Sequence, residues 1–417
     1  MAVHAGEEVD VETGALRLPL HMSTSFKLPP FGIKLFSALQ MDSRDSPYAY
    51  TRWGNPTLKA LENKLVALET VDIQSDSMKY DSVVTASGMA AISAFILTYL
   101  SAGDHLIAND VCYAGSVELF GIHLPRLGIE VSLVDTSDLD KVKSEIKPNT
   151  RVIFIETPSN PILRIADISK LSQLAHQSGA ILAVDSTWAG PILQQPLALG
   201  ADYVIHSLTK FINGHGDSLG GAIIGLEEGI HRIRKEMLIH LGGVMSPFNA
   251  WLILRSITTL PLRMKKHSQS SLQVAEYLEE NPKVKHVIYP GLQSHPQFEL
   301  ASRQMSASGG MIAFQLKNGL GAAINLAEKV KIFSYATSLG HAHSLLFYYP
   351  TDLYIDAAAY LTVAQKRNIR NWVGEGIMRA SIGLEDPKDL IEDLDQALRA
   401  STFKGTIGPL LYRILKR

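Results

Sequence analysis

From about Ser82 to Gly225, short β-branched and aliphatic runs alternate with longer stretches of helical periodicity, the pattern left by βα units of a parallel sheet. The predicted strands cover 104–108, 129–134, 152–156, 181–185, 203–206 and 222–225. Between them, Ser137 is placed to cap a helix with Leu139, Val142 and Ile146 on one face, stopped by Pro148. Asp167 is placed to cap another, with Ile168, Leu171, Leu174 and Ala175 inward and Gly179 at its end. These features predict an α/β fold built on a mostly parallel, doubly wound sheet.

At 417 residues the chain exceeds the size at which one core stops growing, so a large and a smaller domain are expected. A Leu- and Arg-rich helical stretch from Ala250 leads to a second pattern, in which 311–316 is strand-like. Asp386-Pro387 then opens a helix with Leu390, Ile391, Leu394 and Leu398 on one side. The expected division is a large domain over 59–258 and a smaller α+β C-terminal domain over 259–417. Residues 1–58 lack regular periodicity yet hold Tyr50, Arg52, Trp53, Asn55 and Pro56, which suits an extended arm that reaches a partner.

Composition excludes several classes. With 46% hydrophobic residues, 19% charged residues and a net charge of −2, no nucleic-acid or membrane-surface preference is expected. The apolar stretch 89–100 is shorter than a bilayer span and is interrupted by Ser93 and Thr98, so it reads as a buried helix. Glu7, Glu8, Asp10 and Glu12 stand where a secretory signal carries basic residues, and no export is expected. The single cysteine, Cys112, cannot form an internal disulfide, and no Cys/His pair has zinc spacing. A packed thiol, no metal and a cytoplasmic location follow as expectations.

Lys210, in Ser207-Leu208-Thr209-Lys210, follows an apolar strand and precedes Asn213-Gly214-His215-Gly216. It therefore stands at a strand's C-terminal end, where open α/β sheets bind ligands. A lone strand-end lysine is usually solvated, but here Ser207 and Thr209 can both donate to a phosphate beside it. Asp185 ends the preceding strand and should emerge on the same rim, although alone it serves equally as a helix cap. Ser87-Gly88-Met89-Ala90-Ala91 opens a helix whose N–H groups can approach a phosphate; tight helix–sheet packing explains that glycine as well. Together an amine, an acid and a phosphate cradle are what pyridoxal 5′-phosphate (PLP) needs to stabilise a carbanion on an amino acid.

Five ordered motifs extend the pattern. They are Tyr50-Thr51-Arg52-Trp53-Gly54-Asn55-Pro56-Thr57, Glu156-Thr157-Pro158-Ser159-Asn160-Pro161, Asp185-Ser186-Thr187, Ser207-Leu208-Thr209-Lys210 and Ser338-Leu339-Gly340. In this order they resemble the Cys/Met-metabolism, or transsulfuration, PLP enzymes along nearly the whole chain, through Arg379 to Gly383-Leu384-Glu385-Asp386. The resemblance implies an aminotransferase-like fold of type I, with Lys210 carrying PLP in an imine linkage and Asp185 at the pyridine nitrogen. It also implies Tyr113 stacked on the ring, Asn160 at its phenolic oxygen, and Thr187 among the cofactor contacts. Gly88, Met89, Ser207 and Thr209 would hold the phosphate, joined by Tyr50 and Arg52 of a neighbouring subunit, and Ser338 and Arg379 the substrate carboxylate. A homodimer with shared sites, assembling to a homotetramer, is implied as well.

The expected activity is γ-elimination on a sulfur amino acid such as methionine or cystathionine, giving 2-oxobutyrate, ammonia and a thiol. The alternative is γ-replacement on an O-acylhomoserine. A non-catalytic regulator is disfavoured because Lys210, Asp185, Asn160 and Arg379 all remain. Departures from the family fall at substrate positions. Ala49, Glu118 and Thr337 stand where cystathionine-specific members often carry charges, and Gly115 and Leu238-Ile239 where methionine lyases often carry Cys and Lys-Asp. Ala114 replaces a usual glycine, and the usual Thr-His pair is replaced near Tyr354-Ile355. His341 and His343 interrupt the motif after Gly340 and are expected to be solvated, while Phe347-Tyr348-Tyr349 suits either the pocket or the core.

Overall fold

The computed structural model describes residues 1–28, 48–73, 79–352, 355 and 361–400. Part of the expected arm, Tyr354 and the last 17 positions of the C-terminal domain, 401–417, lie outside the described residues. Seven strands form the larger sheet: β1 (Tyr80–Thr85), β2 (His105–Asn109), β3 (Glu130–Val134), β4 (Thr150–Glu156), β5 (Ile181–Asp185), β6 (Tyr203–His206) and β7 (Gly221–Leu226). Their order is β1-β7-β6-β5-β4-β2-β3. Neighbours from β3 to β6 pair in parallel, and β7 pairs antiparallel with both β6 and β1.

The central strands are apolar on both faces because helices cover both. Leu106, Ala108, Phe154 and Ala183 pack on one side with helix α1 (Gly88–Tyr99). Ile107, Ile153, Ile155, Leu182 and Val184 pack on the other with the helix Ile168–Gln177. Alternation along a strand thus becomes two cores. Phe154 has no exposed surface, so truncating it to Ala would cost about 3–5 kcal/mol.

Asp167 caps its helix as expected, accepting from the Lys170 N–H at 3.1 Å, and Gly179 follows with φ of 73°. The Ser137 expectation is corrected. Asp138 is the cap, accepting from the Lys141 N–H at 3.3 Å, while the Ser137 hydroxyl donates to Asp135 at 2.6 Å. An adjacent carboxylate engages Ser137 and places the helix one residue later. That helix ends at Ser144, leaving Ile146 beyond it.

A second, five-stranded sheet contains β8 (Val284–Ile288), β9 (Met311–Leu316), β10 (Ser334–Tyr335), β11 (Leu345–Pro350) and β12 (Gly376–Ser381), ordered β10-β11-β12-β9-β8. The helices Leu260–Glu280, Gly319–Lys329 and Pro387–Ala400 contribute to one core with Phe314, Leu346 and Met378. On the last of them Leu390, Leu394 and Leu398 are buried and Ile391 partly so, as their helical spacing requires. Among the described residues no helix is long and apolar enough to cross a membrane, and no group of three potential metal ligands occurs.

Candidate active site

Strands β4, β5 and β6 end on one rim of the larger sheet, at Glu156, Asp185 and His206, with Glu156 opposite Asp185 and Asp185 opposite Ile205 in register. Beyond this rim lies a cavity of about 500 Å³, bordered by Asp185, Lys210, Tyr113, Asn160, Ser338 and Arg379. Six residues drawn from distant parts of the sequence therefore converge on one space.

Lys210 Nζ donates to Ser338 Oγ at 2.9 Å. Burial, and then the Arg379 cation, hold its pKa below the usual lysine value. Ser338 adopts a left-handed backbone, φ 77°, and Gly340 follows at φ 76°. A Cβ on Gly340 would lie 2.6 Å from the Phe211 nitrogen, so this turn presses against the chain just after Lys210 in a way only glycine permits.

Arg379 is buried and donates to Asn160 Oδ1 and to the Ser338 carbonyl, each at 2.9 Å. Its guanidinium lies 4.9 Å from the Tyr349 ring centroid and 6.0 Å from that of Trp188. Among the described residues no carboxylate forms an ion pair with it. A buried cation held only by neutral acceptors and ring faces keeps capacity for an incoming carboxylate, which its planar fork suits.

Asp185 is 6% exposed, and burial raises its pKa. One oxygen accepts from the Thr187 N–H at 3.0 Å, and no lysine or arginine pairs with it among the described residues. Such a carboxylate lacks the cation that a protonated pyridine nitrogen would provide. The Thr187 hydroxyl in turn accepts from the Ser207 N–H at 2.8 Å, tying the ends of β5 and β6 together. At the opposite end, Ser87 caps α1, and a Cβ on Gly88 would sit 2.9 Å from Ser207 Cβ. The free N–H groups of the first helical turn, Met89 included, thereby come close to Ser207. Thr209 borders the cavity too, with its hydroxyl exchanging bonds with Gly220 at 3.2 and 3.0 Å. An acid without a cation at one end and a glycine-made anion cradle at the other fit PLP.

Glu156, to which the sequence assigns no role, has one in the structure. Its two oxygens accept from the Tyr113 N–H at 2.8 Å and the Asn160 N–H at 2.5 Å, so one buried carboxylate fixes both cavity residues. Burial and then neighbouring Asp185 push its pKa well up. Its position at a strand end on the binding rim was the available signal. The Tyr113 ring, 47% exposed, lies over Gly115, where a Cβ would meet it at 2.8 Å. In this conformation the ring packs against the bare backbone of Gly115, and Ala114 does not displace it.

Tyr50 and Arg52 do not border this cavity. Arg52 donates to the Ile239 carbonyl at 2.9 Å and lies 5.5 Å from the Tyr50 ring centroid. Of the aromatic run, Tyr349 lines the cavity, Tyr348 is core, and Phe347 stacks on Tyr335 at 5.3 Å. His343 is exposed as expected. His341 is not simply solvated: it is half-buried, with Nε2 3.3 Å from Ser338 Oγ. The glycine at 216 makes the space that lets the ring fold inward.

The model of the Cys/Met metabolism PLP-dependent enzymes matches residues 1–399. The chain belongs to this family. PLP is therefore its cofactor, and the family's fold is the one described above. The chain is 39% identical over 407 residues to an L-methionine gamma-lyase of Fusobacterium nucleatum subsp. polymorphum, covering 95% of this chain and 96% of the relative. It is also 39% identical over 408 residues to a canavanine gamma-lyase of Pseudomonas canavaninivorans, covering 97% and 96%. The crystal structure of cystathionine gamma-lyase from Lactobacillus plantarum complexed with L-serine superposes with a TM-score of 0.84 at 32% identity, covering 96% of this chain and 97% of that one.

Proposed function

We propose that this enzyme eliminates the γ-substituent of a sulfur amino acid, methionine or cystathionine, giving 2-oxobutyrate, ammonia and a thiol. The convergence on one cavity of Lys210, Asp185, Tyr113 and Arg379, which has no carboxylate partner among the described residues, carries this reading. Bound PLP supplies the electron sink for the pair left at the substrate's Cα. Asp185 holds the ring nitrogen protonated, since a cation beside a buried carboxylate favours its charged form. Gly88, Met89, Ser207 and Thr209 hold the phosphate, Thr187 braces Asp185, and Asn160 donates to the ring oxygen.

Arg379, with the main-chain N–H of Ser338, takes the substrate carboxylate and fixes the orientation of Cα. Lys210, as the free amine that its lowered pKa favours, takes the Cα proton and moves protons between Cα and Cβ. Tyr113, at the cavity mouth, assists departure of the γ-group. Thr337, Tyr349 and Trp188 border the substrate space and offer no ionic partner for a distal amino-acid group, which favours methionine over cystathionine.

Likeness to a cystathionine gamma-synthase of Mycobacterium bovis, 38% identical over 397 residues, supports a second reading: γ-replacement on an O-acylhomoserine, in which an oxygen-linked group leaves and a thiol adds. A substrate panel with and without added thiol separates the two. Release of 2-oxobutyrate from methionine without a thiol supports elimination, whereas product formed only with a thiol establishes replacement.

The arm over 1–58 is proposed to place Tyr50 and Arg52 at a neighbour's phosphate, beside a large domain over 59–258 and a small one over 259–417. This makes a homodimer, paired into a tetramer in the cytoplasm, the working form. Mixing Arg52→Ala with Lys210→Ala subunits should restore activity through one intact shared site; no recovery after confirmed subunit exchange rejects sharing.

A further inference from the structure

Beside Ser338, and not among the residues that border the cavity, stands a histidine with no part in the reaction described so far. Lys210 Nζ donates to Ser338 Oγ at 2.9 Å, and Ser338 Oγ lies 3.3 Å from His341 Nε2. A serine hydroxyl accepts with its lone pairs while donating its one proton, so a single Ser338 can serve both neighbours in line. His341 does not border the cavity and is only partly buried.

We propose that His341 is a positioning residue that works through Ser338, drawing off to water the proton that the Lys210 amine takes from the substrate's Cα. This rests on the reading of Lys210 as the base. In the transfer, a Lys210 N–H bond breaks and its proton passes to Ser338 Oγ. The original hydroxyl proton of Ser338 passes to His341 Nε2, and the imidazolium then yields one proton to water. One proton travels from Cα to solvent, and nothing is oxidised or reduced.

The placement of the ring is specific. Gly216 has φ of 72°, and a Cβ there would sit 2.9 Å from His341 Cε1 and Nδ1, so the ring lies against bare backbone. The Ser338 carbonyl is held by Arg379 at 2.9 Å, which fixes the left-handed turn that presents the hydroxyl. Around His341, burial, Lys210 and His343 disfavour the imidazolium, and Asp217 favours it. A neutral ring is what the relay needs as acceptor. A base with no exit hands the same proton back to the substrate, either to Cα or on to the carbons that become the CH2 and CH3 of 2-oxobutyrate, whereas one with an exit loses it to water.

The test uses the holoenzyme and methionine deuterated at Cα, with deuterium in the 2-oxobutyrate read by mass spectrometry. Wild type should retain little. His341→Ala and His341→Gln should both retain several-fold more, with a smaller fall in total turnover, because glutamine can bond Ser338 but cannot pass a proton on. Retention at the wild-type level in either variant overturns the relay. A second readout is independent of turnover: the NMR titration of the His341 ring in the holoenzyme. Ser338→Ala removes a bond that favours the neutral ring, so the midpoint should rise; an unmoved midpoint overturns the Ser338 link. Loss of the cofactor's visible band in Lys210→Ala secures the lysine separately, so a null result at His341 rejects the relay and leaves the lyase reading standing.

Discussion

Asn160 and Arg379 are joined by a 2.9 Å hydrogen bond from the guanidinium to the amide oxygen, between the loop that follows β4 and strand β12. The bond turns the Asn160 amide so that its N–H donors face away from Arg379, and it fixes the guanidinium. In the proposed roles, it would align the cofactor contact and the substrate-carboxylate contact together.

Asn160→Ala should therefore damage substrate binding as well as the ring contact. A hydrogen bond to a charged group is worth about 1.5–3 kcal/mol, which corresponds to a loss of roughly tenfold to a hundredfold in kcat/KM. Steady-state kinetics with methionine should show KM rising along with any fall in kcat; an unchanged KM would mean Arg379 is held adequately without Asn160.

Gly88 tests the phosphate end. An alanine there would bring its Cβ to 2.9 Å from Ser207 Cβ and push the helix start away from the β6 loop. Gly88→Ala should lose PLP faster on dialysis, followed by the visible absorbance, with little change in thermal stability when cofactor is saturating. Equal retention would show that the cradle tolerates the shift.

Two buried histidines set an acid limit on stability. Burial depresses His267 and His295 from 6.5 to about 4. His267 donates to the Ile382 carbonyl at 2.7 Å, and His295 both donates to the Leu163 carbonyl at 3.2 Å and accepts from the Gln297 N–H at 3.1 Å. The unfolded chain takes up these protons near pH 6.5 and the folded chain only near pH 4. Their contribution is complete above pH 6.5 and falls away towards pH 4, by roughly 3 kcal/mol each. Asp110, raised to about 6 by burial, works in the opposite direction over part of this window. The comparison is therefore with His267→Asn and His295→Asn, whose unfolding free energies should fall less steeply between pH 6.5 and 4 than that of wild type. Identical slopes would contradict the assignment.

How much of this was legible in the sequence depends on whether the information is local. The β5 and β6 boundaries were read correctly because each strand is an apolar run with sharp ends, and a strand's end decides which side chain reaches the rim. Asp185 and Lys210 therefore fell into place from order alone. The cap at Asp138 was misread because Ser137 and Asp138 are both good caps, and only the bond from Ser137 to Asp135 decides between them. Glu156 and Tyr349 were harder. The first acts through two backbone N–H groups on separate loops, and the second reaches the cavity because β11 pairs with β12, opposite Gly376 to Ser381. His341 depended on a left-handed turn at Ser338 and the space beside Gly216, neither of which has a periodic signature.

The central claim is that Lys210 is the residue bonded to PLP, and it can be read directly. Borohydride reduction of the purified enzyme, followed by peptide mass mapping, should place the reduced cofactor on the peptide containing Lys210. Cofactor found on another lysine, or on none despite a visible absorbance band, would contradict it.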